Sequence, residues 1–488
     1  MRKRNMGLIV RKHKKKKSAR QKTDENILGL VYAVVCLFLW LMAYVGHFLL
    51  AEREDVINNA YNARLDTFSA RVERGSILSS DREVLARTET DEEGREVRIY
   101  PYGSLFAHAV GYSSRGKTGL EELANYYLLT SHIHPVSRAA AELSGRKIPG
   151  DNIVTTLDLR VQQLAKDSLG DRRGAVVVME PDTGKILAMV SNPGFDPNSV
   201  NENWEQLVSG DNGQARLLNR AAQGLYPPGS VFKTVMLLEY IREHPADYDQ
   251  FRFDCGGYFE YGDYTIQCYH GTAHGSQTLS QAFANSCNGA FASLGMNLDL
   301  KSLSSTARQL LFNTSQPVAF ACTQSRFVME EGADEWEILQ TSIGQGMTQI
   351  TPLHNTLITA AIANKGILMT PYLVDSVENA EGRKVKTFEP SVCQTLMSEE
   401  EARILKEMMT QVVTEGTGSA LRTDSYSAAG KTGSAQFGQG KETHAWFTGF
   451  APAEAPRIVV TVIIEEGGSG GQAAAPVAKS IFDLLLIP

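Results

Sequence analysis

The chain has 488 residues, 43% of them hydrophobic, with 48 Lys and Arg against 55 Asp and Glu. That length accommodates one large domain and a smaller companion. Eleven of the basic residues and two acidic ones, Asp24 and Glu25, fall in residues 1–26, leaving 37 against 53 beyond them. The resulting formal charge of −16 argues against nucleic acid as a partner of the main body.

Ile27 to Leu50 is a run of 24 residues without Asp, Glu, Lys or Arg. At ~1.5 Å per helical residue it reaches across a ~30 Å hydrocarbon core. It is too long for the core of a cleavable signal, and the charged Ala51-Glu-Arg-Glu54 follows in place of a small-residue cleavage site. We read residues 27–50 as one transmembrane helix and residues 1–26 as a basic cytoplasmic tail, with the rest of the chain outside the membrane. Lys14-Lys-Lys-Lys17 then meets anionic lipid. Residues 51–150 alternate short polar and apolar runs with loops, as a mixed, strand-rich pedestal does. Residues 151–488 form the main domain.

That domain opens with a predicted strand, Ile153–Asp158, and a helix from Leu159. Val176–Met179 and Ile186–Val190 read as a hairpin about Pro181-Asp-Thr-Gly184. Pro227-Pro-Gly229 then introduces Ser230, and an apolar run continues from Val231 to Ile241. Proline and glycine pre-set a helix start, so Ser230 falls in the first turn, where free N–H groups favour negative charge. Lys233 lies three residues on, on the same face. A lysine in a dry, positive site can lose its proton and act as a base.

Cys255 and Cys268 bracket a hairpin-like segment whose spacing admits a disulfide outside the cell. His270 and His274 are near, but two cysteines fall short of the usual zinc set, and Cys287 reads as a small buried residue. Ser286-Cys-Asn288 lies at a break between helical flanks. Its hydroxyl can relay a proton and its amide can hold a carbonyl. Lys431-Thr-Gly433, followed by Ser434, sits among small residues that suggest a strand open to an added peptide strand. A nucleotide loop there would need an upstream glycine, and position 425 is Ser. Strands at Ala445–Phe450 and Ile458–Ile464 and a helix from Pro476 to Leu486 close the chain.

Each short motif is weak alone. Ser-x-x-Lys also occurs at Ser114 and Ser144, Lys-Thr-Gly at Lys117, and Ser-x-Asn at Ser199. The copies at Ser114, Lys117 and Ser144 read as loops. The three retained motifs, in this order, spell the site of a serine enzyme that attacks acyl-D-alanyl peptides.

Together with Gly174–Met189, Ile343-Gly-Gln-Gly346, Thr351-Pro-Leu353 and Ala363-Asn364, the motifs make the chain resemble the monofunctional class B penicillin-binding proteins. Arg74-Gly-Ser-Ile77, Asp81-Arg82, Leu85-Ala86 and Gly119-Leu-Glu121 are similar to that family's pedestal motif. The resemblance implies an α+β penicilloyl-serine transferase domain, with a central antiparallel sheet flanked by helices.

It further implies a peptidoglycan D,D-transpeptidase in which Ser230 is the nucleophile, Lys233 the base and Ser286 the proton relay. Asn288 and Lys431 would complete the catalytic set, Thr432, Gly433 and Ser434 would bind substrate, and the N–H groups of Ser230 and Ser434 would form an oxyanion hole. The implied partners are stem peptides, β-lactams, the lipid bilayer, and a multi-span glycan polymerase with division or elongation proteins. No cofactor or metal is expected. About 100 residues between span and main domain leave no room for a glycosyltransferase. A non-catalytic scaffold, a β-lactamase and a β-lactam sensor are the other classes weighed. The Glu-x-x-Leu-Asn pattern of class A β-lactamases is absent.

Overall fold

The computed structural model describes residues 19–48, 71–209, 214–437 and 442–487. The chain divides into two compact units, Met1–Asn62 and Ala63–Pro488. In the first, helix α1 spans Ala19–His47. Its stretch Ile27–His47 runs 21 residues without Asp, Glu, Lys or Arg, and Leu30, Phe38, Trp40 and Met42 are all exposed. A helix apolar all round with no core of its own fits a single-pass membrane anchor. Leu49, Leu50 and the basic residues 1–18 lie outside the described residues.

The second unit holds two large sheets. One has six strands: β1 (Ile77–Leu78), β2 (Val84–Thr90), β3 (Glu96–Ile99), β4 (Asn152–Thr155), and, far along the chain, β11 (Val374–Glu378) and β12 (Lys384–Thr387). Their order is β12-β11-β4-β1-β2-β3. Beside it, the pedestal motif folds into one buried ion network. Arg74 Nε donates to Glu121 Oε2 and Arg98 Nε to Glu121 Oε1, each at 2.7 Å, and Arg74 Nη1 donates to Asn125 Oδ1 at 2.6 Å. Gly75 is required here, because a Cβ would lie 1.9 Å from the Asp151 carbonyl oxygen.

Burial pushes the Glu121 carboxyl up, but the Arg98 and Arg74 guanidiniums outweigh this and hold it below the usual carboxylate range. A depressed folded pKa contributes stability above the unfolded value, which is lost as the pH falls through the folded one. Glu121→Gln leaves two nearly buried guanidiniums without their anion. It is expected to cost roughly 3–5 kcal/mol. Denaturant unfolding should show this loss at pH 7, with a smaller gap between variant and wild type in acid.

The second sheet has five strands: β5 (Gly174–Met179), β6 (Ile186–Asn192), β13 (Ala429–Ala435), β14 (His444–Ala451) and β15 (Ile458–Ile464). They are ordered β13-β14-β15-β5-β6, and every pair is antiparallel. Both faces are covered. Val176, Val178, Val460 and Val462 pack with Val161, Ala165, Ile481 and Phe482, which come from helices α2 (Leu159–Leu169) and α8 (Ala475–Leu486). Ala175, Val177, Val459 and Ile463 share the opposite core with Leu353, Leu357 and Ala361 of α6 (Pro352–Ala363). Burial on two faces explains the near-continuous Ile458-Val-Val-Thr-Val-Ile-Ile464 run. Its one hydroxyl is satisfied: Thr461 bonds Thr448, which bonds Thr359.

Candidate active site

The nucleophile segment is a tight turn, Gly229–Phe232, running directly into helix α3 (Lys233–Glu243). Gly229 has φ +55°, and a Cβ there would lie 2.7 Å from the Ser434 carbonyl oxygen. Its N–H donates to the Gly344 carbonyl at 2.7 Å. Gly344, at φ +77°, would put a Cβ 1.8 Å from the Gly229 oxygen. Trp446 Nε1 donates to the Pro227 carbonyl at 3.0 Å. Three backbone contacts thus fix the turn that presents half-buried Ser230.

Ser286 stands between α4 (Leu279–Ala284) and α5 (Asn288–Gly295), at φ +56°. That backbone is disfavoured for a residue with a Cβ and persists where its surroundings impose it. Cys287 caps α5, its Sγ accepting from Ala290 N–H. Asn288 Nδ2 donates to the Gln267 carbonyl at 2.9 Å.

Lys431, Thr432, Gly433 and Ser434 lie on β13, the outermost strand of the five-stranded sheet. One long edge of that strand is therefore open to pairing. A Cβ on Gly433 would press to 3.2 Å from Val231 N, so the missing side chain lets the strand approach the Ser230 turn.

Two buried lysines converge on Ser286. Lys233 Nζ donates to the Ser286 carbonyl at 2.7 Å, to Asn288 Oδ1 at 2.8 Å and to Ser286 Oγ at 3.3 Å. Lys431 Nζ donates to Ser286 Oγ and to the Thr432 carbonyl, each at 2.9 Å. Burial lowers the Lys233 ammonium to about 7. Burial, with the Lys233 charge beside it, holds Lys431 well below the usual lysine range. A lysine near neutrality beside a hydroxyl can take and return a proton at physiological pH.

Above these lysines opens a cleft of ≈ 440 Å³ whose lining includes Ser230, Ser286, Asn288, Thr432, Gly433 and Ser434. The site residues expected from the sequence are thus brought together, six on the cleft wall and two beneath it. Thr417 and Gly470 were not anticipated. Thr417 Oγ1 pairs with Thr432 Oγ1 at 2.6 Å, and Gly470 N–H donates to Ser434 Oγ at 3.4 Å. Their only sequence signal is glycine richness, in Gly416-Thr-Gly418 and Gly467-Gly-Ser-Gly-Gly471.

The rejected motif copies lie elsewhere. Ser144 is exposed and donates to the Ala141 carbonyl at a helix end. Gly111-Tyr-Ser-Ser-Arg-Gly-Lys-Thr118 matches a phosphate-loop pattern, but a short helix rather than a strand precedes it. Thr118 O sits 1.9 Å from where a Gly111 Cβ would be, so the loop is folded on itself.

The spacing of the cysteines left a disulfide open. Cys255 and Cys268 are free thiols, with their sulfurs 3.6 Å apart. Cys287, buried as expected, has its sulfur 3.8 Å from that of Cys268, and His274 Nδ1 is 3.3 Å from Cys255 Sγ. The sequence admits a disulfide between Cys255 and Cys268 and counts too few ligands for a metal, because it treats Cys287, 19 residues beyond Cys268, as a small buried residue.

Residues 174–483 match the model of the penicillin binding protein transpeptidase domain, and residues 74–153 that of the penicillin binding protein A dimerisation domain. The peptidoglycan D,D-transpeptidase PbpA of Mycolicibacterium smegmatis is 33% identical over 445 residues, which cover 85% of this chain and 89% of that protein. Two solved structures are also similar. Penicillin-binding protein A from M. tuberculosis, as a ceftriaxone acyl-enzyme complex, gives a TM-score of 0.79 at 30% identity, covering 87% of this chain and 100% of that one. The D,D-transpeptidase domain of a peptidoglycan glycosyltransferase from Eggerthella lenta gives 0.76 at 33% identity, covering 85% and 98%.

The chain belongs to the penicillin-binding protein transpeptidase family. Within it, the transpeptidase domain preceded by a β-rich pedestal and an apolar helix is the class B arrangement expected from the motifs.

Proposed function

We propose that this chain cross-links peptidoglycan as a D,D-transpeptidase through a Ser230 acyl-enzyme. The observation that carries this reading is the pair of buried lysines meeting at Ser286 under the cleft that Ser230 lines. Ser230 Oγ attacks the penultimate D-Ala carbonyl of a stem peptide and gives its proton to neutral Lys233. The N–H groups of Ser230 and Ser434 hold the oxyanion.

The C–N bond then breaks, and Ser286 passes the proton to the departing D-Ala amine. An amine of a neighbouring stem attacks the ester and expels Ser230, which recovers its proton. Asn288 holds the substrate amide, Thr432 holds its terminal carboxylate, and Lys431 holds the Ser286 hydroxyl from beneath. The edge of β13 takes the peptide as an added strand. A β-lactam acylates the same serine.

Helix α1 anchors the chain with residues 1–26 in the cytoplasm, by the excess of positive charge on that side. Cross-linking needs glycan strands made elsewhere, so a multi-span polymerase is the expected partner, contacted through α1 and the pedestal. Trp40, Tyr32 and Tyr44, with Gly29 and Gly46, offer it a surface.

The test is to incubate the full-length protein in detergent with glycan strands carrying pentapeptide stems. We expect D-Ala release matched by new cross-links. Penicillin binding without either product would favour a scaffold, and steady turnover of penicillin would favour a β-lactamase.

A further inference from the structure

Next to the second motif, the chain places a side-chain cluster that the acyl-transfer chemistry does not use. Strands β7 (Arg252–Cys255), β8 (Tyr258–Tyr261), β9 (Tyr264–Gln267) and β10 (Gly275–Thr278) form two small hairpin sheets, β7 with β10 and β8 with β9. Cys255 ends β7, Cys268 follows β9, His274 precedes β10, and Cys287 caps α5. One ligand atom from each of the four lies within 4.8 Å of every other.

We propose that Cys255, Cys268, His274 and Cys287 bind one zinc ion, which clamps the Ser286–Asn288 loop onto these hairpins. Zinc bound by thiolates at ~2.3 Å and imidazole at ~2.0–2.1 Å in a tetrahedron places neighbouring ligand atoms roughly 3.5–3.8 Å apart. The observed sulfur–sulfur separations are 3.6 and 3.8 Å, and the sulfur–nitrogen separation is 3.3 Å. Three of the six pairwise separations thus lie close to those of a tetrahedral site, and the other three are within 4.8 Å.

The donor set selects the metal class. Three thiolates and one imidazole suit zinc and exclude magnesium and calcium, which take oxygen ligands. All three sulfurs are buried and His274 is half-buried. Metal entry replaces the thiol protons, which leave to solvent. Four protein ligands leave no open position, so the ion is structural and does not activate water.

Its position gives it a consequence for the motif. Cys287 stands between Ser286 and Asn288, the two residues that accept from Lys233. Ser286 is held at φ +56°, a conformation that persists only where its surroundings impose it. A bond from Cys287 to an ion shared with Cys255 and Cys268 fixes it. The Asn288–Gln267 hydrogen bond, one residue before Cys268, reinforces the same attachment. These four residues are positioning residues for Ser286 and Asn288. This consequence rests on the proposed role of Ser230 and Lys233, whereas the metal site does not.

The experiment measures zinc in the full-length protein, purified without a metal-affinity step, by elemental mass spectrometry. One zinc per chain is expected in the wild type. Cys255→Ser and His274→Ala, neither in a motif, should each lose at least ~10-fold of that affinity. Cobalt in place of zinc should give the intense visible bands of a tetrahedral thiolate site. Chelation of the wild type, which needs no variant to fold, should slow penicillin acylation by ~10²-fold, because a displacement of about 1 Å near the reacting groups has that effect. Added zinc should restore the rate.

Wild type without zinc, whether Cys255 and Cys268 are recovered as free thiols or as a disulfide, would overturn the site. Zinc present but acylation unchanged on its removal would overturn the positioning role alone. Zinc present with no acylation under any condition would instead count against the Ser230 reading.

Discussion

Ser230→Ala is expected to leave the protein folded and to abolish covalent labelling by penicillin. Ser230 sits in a turn fixed by its neighbours: Gly229 bonds the Gly344 carbonyl, and Trp446 bonds the Pro227 carbonyl. Neither contact uses the Ser230 hydroxyl. Alanine therefore keeps the turn and removes only the oxygen that would form the ester. Loss of the nucleophile from a serine enzyme costs on the order of 10⁶ in turnover. Fluorescent penicillin and thermal unfolding, run in parallel, check both halves. Label retained by a folded Ser230→Ala protein, at Ser114 or Ser144 for example, would move the chemistry to another serine.

The second large effect is expected at Lys233. Its ammonium is fully buried and donates to the Ser286 carbonyl and Asn288 Oδ1. Arginine keeps the positive charge and the donors but cannot give up a proton near neutral pH. Lys233→Arg should therefore cut the acylation rate by ~10²-fold or more, the usual contribution of a general base. Lys233→Met is close in length and carries neither charge nor donor, and it should lose at least as much. Single-turnover acylation on samples with cooperative unfolding is the measurement. A near-normal rate in Lys233→Arg would make Lys233 a structural cation under the motif loop.

Much of this site could be read from the sequence because its chemistry is local. Pro227-Pro-Gly229 specifies the turn, and the i to i+3 spacing puts Lys233 at the start of the helix that follows it. The helical flanks around Ser286 fold as two helices with a break between them. The small residues around Lys431 form the expected edge strand. The apolar run from Ile27 is a helix through His47. These readings rest on neighbours a few residues apart, where steric and hydrogen-bond preferences dominate.

What could not be read depends on distant pairings. Strands β11 and β12 join β4 in the pedestal-side sheet across more than two hundred residues, and a local alternation pattern holds no record of that partner. Thr417 reaches the cleft from a turn and Gly470 from the start of the helical segment Gly470–Ala474, and the composition of either says only that backbones come close. The thiol cluster is the sharpest case. Its four residues lack the close Cys-x-x-Cys spacing of a zinc ribbon, so Cys287 looked like a small core residue until the hairpins folded over α5. The ion network at Glu121 lies between these extremes. Arg74 and Glu121 were recognised as parts of a motif, but Arg98, Asn125 and the burial that gives the network its weight came only with the fold.

The most direct test of the central claim is to find which residue carries the penicilloyl group. Full-length protein would be reacted with penicillin, digested, and analysed by fragmentation mass spectrometry. A single adduct on Ser230, at one per chain, is the predicted result. An adduct on any other residue, or none on protein that is folded and zinc-loaded, would contradict the account.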